Sequence, residues 1–352
     1  MSAERLSLLQ ESHAFDPAPV RQELSDRHVP FDTMTPAPRC EQALDSALRR
    51  GQRVAVVGVS GAGKSSVTAT VLGPLVEGLV PLPIPVSMEQ PQVATDPVAF
   101  AAHIVRVVAH WVQTAQPKQA GSARQITNQT QPGQRVRRQR FSVTPEWLSA
   151  KLELSYELQQ VAAENPPTSG QVLAQARQIL DLIASEGLRP VLVLDDTDKW
   201  LNTAWQDNAV AVRAGFFGRV IRVIAEDLAS AAAVAVHTEY LTDPDYQAAA
   251  GFLDATVRVP PVPDAAGVRR ILARRAALAL GDDISREATV LDGLIDDAAV
   301  EILYAHYAGG TPDLRRRILY VAHTALTLAC DSGAEVMGPA HLDLAISEVT
   351  HD

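Results

Sequence analysis

The stretch Gly58-Val59-Ser60-Gly61-Ala62-Gly63-Lys64-Ser65 fits the pattern G-x-x-x-x-G-K-[S/T] without a mismatch, directly after the apolar run Val54 to Val57. A loop this rich in glycine leaves its inner wall bare, so successive backbone N–H groups point at an anion. In such a loop Lys64 reaches the β- and γ-phosphates of a nucleotide and the Ser65 hydroxyl ligates Mg²⁺. Ser60, Gly61, Ala62, Gly63 and Ser66 complete the cradle. Val67, Val71, Leu72 and Leu75 follow at helical spacing. The start of that helix therefore adds its positive dipole end to the same anion. Strand, loop and helix in this order predict an α/β fold with a doubly wound parallel sheet, and ATP with Mg²⁺ as its ligands.

The run Val191-Leu192-Val193-Leu194-Asp195-Asp196 supplies the other half of the site. Four apolar residues ending in carboxylates describe a strand buried on both faces, whose C-terminal tip opens on the ligand crevice. Asp195 is expected to hold the Mg²⁺ and Asp196 to orient the attacking water. Acid pairs at strand ends also serve as caps and turn formers; the upstream phosphate loop is what gives this pair its chemistry. A further buried strand, Ala231 to Val236, ends in His237 and Thr238. His237 either touches the γ-phosphate or the water, or merely caps the strand, and both readings stay open.

Composition sets the outer limits. The 352 residues are 47% hydrophobic and 20% charged, with a net charge of −10. Those values permit a large core and oppose global disorder. They also oppose a protein that coats nucleic acid with its whole surface, though not a local basic patch. Cys40 and Cys330 form no metal-ligand spacing and read as free thiols of a reducing compartment. No signal-type leader and no apolar run approaching about 18 residues is evident, so a cytoplasmic protein with no membrane contact is expected.

Along the chain, residues 1–35 read as an N-terminal extension with one short helix, wrapping the core or touching a partner. The core is expected over 36–262. Pro36 to Arg50 forms a helix stopped by Gly51, and the prolines of Leu79 to Val86 place that segment at a sheet edge or in an extended stretch. Asp96-Pro97 opens a helix with Phe100, Ile104, Val108 and Trp111 on its buried stripe. Residues 113–187 read as a basic loop and a helical insertion. Gln113 to Arg140 holds Lys118, Arg124, Arg135, Arg137, Arg138 and Arg140 and no acid, so a DNA contact through Arg135, Arg137, Arg138 and Arg140 stands beside a plain solvated loop. Helices are expected from Thr144 and over Ser169 to Ser185, then over Thr203 to Leu228. From 263 to 352 the pattern is helical, with segments at Leu291 to Tyr307, Pro312 to Leu328 and Pro339 to Val349, and forms a C-terminal lid.

In the order of these parts the chain resembles the AAA+ and STAND-type P-loop ATPases, near the origin-recognition initiators and the KAP-like ATPases. The residues that carry the resemblance are the loop Gly58 to Ser65, Leu194-Asp195-Asp196-Thr197-Asp198-Lys199, and Gly309-Gly310-Thr311-Pro312-Asp313-Leu314-Arg315-Arg316. It implies a P-loop NTPase core with a helical lid. It also implies that Arg315 reaches the γ-phosphate from a lid helix and that Pro312 meets the nucleotide base. Asp196 stands where most active members carry Glu, which implies slow hydrolysis of ATP to ADP and phosphate. Arg213, Arg219 and Arg222 lie where a finger arginine would be, but no motif assigns one. The expected function is a nucleotide-dependent switch that forms a homo-oligomer or joins a larger protein assembly. Two alternatives accompany it: a DNA-binding helper of replication or transposition, and a non-hydrolysing ATP-bound scaffold in a bacterial defence complex.

Overall fold

The computed structural model describes residues 2–17, 24–35, 39–73, 78–86, 91–115, 168–197, 201, 209–284, 287–309 and 314–351. The elements in chain order are α1 (Ser2–Glu11), a 3₁₀ turn Phe31–Thr33, α2 (Cys40–Arg49), β1 (Arg53–Val57), α3 (Lys64–Val71), β2 (Leu79–Pro83), α4 (Pro91–Thr95) and α5 (Pro97–Ala115). Then come α6 (Ser169–Ala184), β3 (Arg189–Leu194), α7 (Ala209–Gly215), β4 (Ala231–Val236), α8 (Pro244–Ala249) and β5 (Ala255–Arg258). Five C-terminal helices end the described chain: α9 (Ala265–Leu280), α10 (Glu287–Val290), α11 (Asp297–Ala308), α12 (Leu314–Asp331) and α13 (Pro339–His351).

The strands form one 5-stranded sheet in the order β2-β3-β4-β1-β5, with every pairing parallel. Because strand side chains alternate faces, each strand feeds two cores. Ala55, Val57, Leu192, Leu194, Ala232, Val234 and Val236 pack with Phe100, Ile104, Val108, Ile179 and Phe217 on one face. Val54, Val56, Val191, Ala231 and Ala233 pack with Leu44, Leu48, Val67 and Val71 of α2 and α3 on the other. Helices on both faces of a parallel sheet make the fold doubly wound, as expected. β2 lies at the edge, where Pro81 and Pro83 cost the ladder least.

The C-terminal helices bury a core of their own around Leu272, Ala276, Leu303, Val321, Leu326 and Leu342. Leu6 and Leu9 of α1, with Phe15 and Val29, are buried in that same core, whereas Phe31 is buried in the core beneath the phosphate loop. The described residues of 2–17 and 24–35 thus contribute to both cores.

Several expectations shift in detail. α6 begins with a capping box, Thr168 and Gln171 each bonded to the other's backbone N–H. It packs against α5 and β3 in the core on one face of the sheet. The helix expected from Leu291 starts only at Asp297. Gly293 adopts φ 71° in the preceding turn, Ile295 bridges to Met337, and the Asp296 carboxylate caps the Ala298 N–H. The helix expected to run to Leu228 is α7 followed by two π-helical turns, Phe216–Val220 and Val223–Asp227. The Thr144 helix and the basic span with Arg135, Arg137, Arg138 and Arg140 lie outside the described residues. No helix among the described residues is long and apolar enough to cross a membrane.

Candidate nucleotide-binding site

The loop between β1 and α3 sits at the C-terminal end of the sheet, with its first amide anchored by a bond from Gly58 N–H to Val236 O of β4, 3.1 Å. Gly61 takes φ 69°, and Gly63, the N-cap of α3, takes φ 100°. Both values favour glycine, so the pattern's glycines answer a backbone demand. The Lys64 side chain is only 7% exposed, and its Nζ donates to Gly58 O at 2.9 Å and Val59 O at 3.0 Å. Its ammonium is therefore held over the mouth of the loop.

Across the cleft, β3 ends at Leu194 and delivers the two acids. Ser65 Oγ donates to Asp195 Oδ1 at 2.9 Å, joining groups that are 130 positions apart in sequence. Asp196 follows with φ 55°, a left-handed conformation that is uncommon outside glycine, though Asp tolerates it better than most residues. Non-glycine residues are found there chiefly where surrounding structure imposes it, often at functional sites. The next residue supplies the constraint: Thr197 is fully buried and its hydroxyl donates to Ala235 O of β4.

Loop and acids line one cleft of about 230 Å³ with all of Ser60, Gly61, Ala62, Gly63, Lys64, Ser65, Ser66, Asp195 and Asp196 on its wall. Its remaining walls come from two places that sequence reasoning did not assign to the site. Leu24, Arg27, His28 and Val29 enter from the N-terminal segment, and Ile271, Arg275, Arg316 and Leu319 from α9 and α12. The i, i+4 spacing of Ile271 and Arg275, and the i, i+3 spacing of Arg316 and Leu319, put each pair on one helix face. A cation beside an otherwise apolar stripe is the signal that would have found them.

His237 is not among the cleft-lining side chains. Its Nδ1 accepts the Glu239 N–H at 3.2 Å and its ring meets Tyr240 edge-on, so of the two readings left open the structure displays the cap. Arg315 stands in the first turn of α12, but its side chain and Pro312 lie outside the described residues; it is the neighbouring Arg316 that lines the cleft. None of the three helix arginines lines it. Arg213 is held by Asp243 and the Leu201 carbonyl, Arg222 pairs with Glu226, and Arg219 is exposed.

The residues present fit a magnesium nucleotide. Bare glycine backbone faces the cleft, the N-terminus of α3 points into it, and a hydroxyl and a carboxylate already touch where a hard cation takes oxygen ligands.

No family model and no curated protein matches the chain. Among solved structures, the Drosophila ORC bound to DNA matches with a TM-score of 0.50 at 13% identity, covering 98% of this chain and 66% of that one. The chain shares the fold of that ORC structure, a parallel sheet with helices on both faces. Two Aeropyrum pernix structures accompany it: the ORC1 protein in complex with DNA, TM-score 0.48 at 18% identity over 88% of this chain and 64% of that one, and the ORC2 protein in ADPNP-ADP complexes, TM-score 0.47 at 14% identity over 88% and 66%. This chain therefore spans 64–66% of the length of those solved chains. In this fold the cleft lies between the sheet, the C-terminal helices and the N-terminal segment.

Proposed function

We propose that the chain is an AAA+ ATPase switch that binds Mg-ATP in this cleft and hydrolyses it slowly to ADP and phosphate. The observation that carries the reading is the 2.9 Å bond from Ser65 to Asp195, which unites the phosphate loop with the acid-tipped strand. The loop amides and Lys64 bind the β- and γ-phosphates and neutralise charge on the transferred group. Lys64 exchanges its loop carbonyls for phosphate oxygens as it does so. Ser65 and Asp195 would hold Mg²⁺, which would supply charge neutralisation on the phosphate oxygens. Asp196, turned by its left-handed backbone, accepts a hydrogen bond from the attacking water and sets it in line. Arg316 places a cation of α12 on the cleft, so phosphate occupancy biases the angle of the C-terminal helices and thereby an interface with a second copy or another partner. The test is phosphate release by wild type, Lys64→Ala and Asp196→Ala. Turnover is expected only in wild type, and activity surviving in both variants overturns the reading.

A second reading adds DNA. It is supported by Arg135, Arg137, Arg138 and Arg140 in a span without acids, within a chain of net charge −10. It predicts hydrolysis stimulated by duplex DNA and binding that weakens steeply with salt. DNA affinity left unchanged by neutralising those arginines removes it.

A further inference from the structure

One wall of the cleft is held by a buried carboxylate that plays no part in phosphate chemistry. Glu41, in the first turn of α2, is 9% exposed. His28 Nε2–H donates to its Oε1 at 2.9 Å, and the Phe31 N–H to the same oxygen at 2.7 Å. The Asp32 N–H and the Cys40 thiol donate to Oε2 at 3.2 and 3.1 Å. One side chain thereby ties down His28 and the turn Phe31–Thr33. Burial alone would raise the Glu41 carboxyl, yet the bonds from His28, Phe31 and Cys40 outweigh it and hold the group well below the usual carboxylate range.

What Glu41 fixes is the course of the strap that lines the cleft together with the phosphate loop. His28 and Val29 line the cleft; Val29 is buried with the C-terminal helices, and Phe31 is buried with α2 and α3 beneath the loop. From the other side, Arg270 donates to Thr33 O at 2.8 Å and Arg275 to Asp16 O at 2.9 Å. The strap is thus pinned to the sheet domain through Glu41 and to α9 through two arginines, with the cleft between them.

We propose that Glu41 is a positioning residue for nucleotide recognition: by holding His28 and the 31–33 turn it shapes the wall that meets the nucleoside end of the ligand, while the phosphates are gripped by the loop. The proposal rests on the Mg-ATP reading above. It follows that loss of Glu41 should separate two affinities that a general loss of folding would lower together. A preorganised wall lowers the ordering cost of binding only for a ligand that touches it.

The experiment measures binding of Mg-ATP and of magnesium tripolyphosphate, which lacks a nucleoside, to wild type, Glu41→Ala, Glu41→Gln and His28→Ala. Glu41→Ala is expected to weaken Mg-ATP by about tenfold or more while tripolyphosphate stays within about twofold. Glu41→Gln keeps an oxygen for both the Phe31 N–H and the His28 Nε2–H and loses only the acceptor of the Asp32 N–H and the Cys40 thiol, so it should recover part of the ATP affinity. His28→Ala, which leaves the carboxylate in place, should show the same split in milder form and covers the case in which Glu41→Ala does not fold. Equal losses for both ligands, no loss in either Ala variant, or a Gln variant as weak as Ala overturns the proposal. A wild-type protein that binds neither ligand defeats the nucleotide reading, and this proposal with it.

Discussion

Replacing Lys64 by Met removes the ammonium and keeps an unbranched stem, so it isolates the charge. In the structure that ammonium donates to two carbonyls of its own loop, at 2.9 and 3.0 Å, from a side chain 7% exposed. Bonds from charged donors contribute about 1.5–3 kcal/mol each, but burying the ammonium offsets part of this, which leaves a net of about 2 kcal/mol. In a chain of this size that lowers the unfolding midpoint by about 3 °C in the absence of nucleotide. Wild type should gain about 2.7 kcal/mol, or about 4 °C, at a Mg-ATP concentration of 100 times Kd. The variant should gain almost nothing, since the same ammonium neutralises the phosphates. Differential scanning fluorimetry of both proteins with and without Mg-ATP gives all four numbers. A variant that melts with wild type when no nucleotide is present refutes the structural half of the reasoning. One that is stabilised by Mg-ATP as much as wild type refutes the other half.

Further outcomes follow from individual residues. Asp196→Gly relieves a left-handed backbone worth about 1 kcal/mol but loosens the unfolded chain by a similar amount, so stability should stay within about 1 kcal/mol of wild type in a urea titration. Phosphate release by the same variant should fall about a hundredfold or more, and retained turnover would remove Asp196 from the water-orienting role. In Gly215→Ala the new Cβ would stand 2.8 Å from Thr95 Cβ and 2.9 Å from Thr95 Cα, so α4 must shift; a loss of about 1–3 kcal/mol is expected by the same titration, and a neutral effect would contradict this packing. The Glu41 carboxyl is held below its ordinary 4.5, so the folded chain binds that proton less readily than the unfolded one. Its stabilisation is complete above about pH 4.5 and is lost as pH falls below that value. Stability measured from pH 6 down to pH 3 should therefore drop more steeply in wild type than in Glu41→Gln, and parallel curves would count against the buried pair.

The sheet was legible because its strands are short apolar runs bounded by turn residues, and because Pro81 and Pro83 could only sit at an edge. Even the alanine-rich β4 was readable, although alanine has poor strand propensity; its small side chains lie at the centre of the sheet, where tertiary packing overrides local preference. The loop and the two acids were found for a chemical reason, since few residue patterns can cradle phosphate and hold a hard cation together. The opposite wall was missed because it depends on long-range pairing. Nothing local in His28-Val29-Pro30-Phe31 shows that a carboxylate 13 positions from His28 gathers that strap beside the phosphate loop. The turn at Gly293 was hidden by apolar residues on both sides that continue a helical period. His237 was ambiguous because strand-end position alone does not say where a ring turns; its bond to the Glu239 N–H is a local competition that the sequence does not rank.

The most direct test of the central claim is a calorimetric titration of ATP into the wild-type protein, with Mg²⁺ and with Mg²⁺ chelated. The account predicts saturable one-to-one binding that is tighter with Mg²⁺, because Ser65 and Asp195 meet at the place where the cation would be held. No heat of binding under either condition, or an affinity indifferent to Mg²⁺, would contradict it.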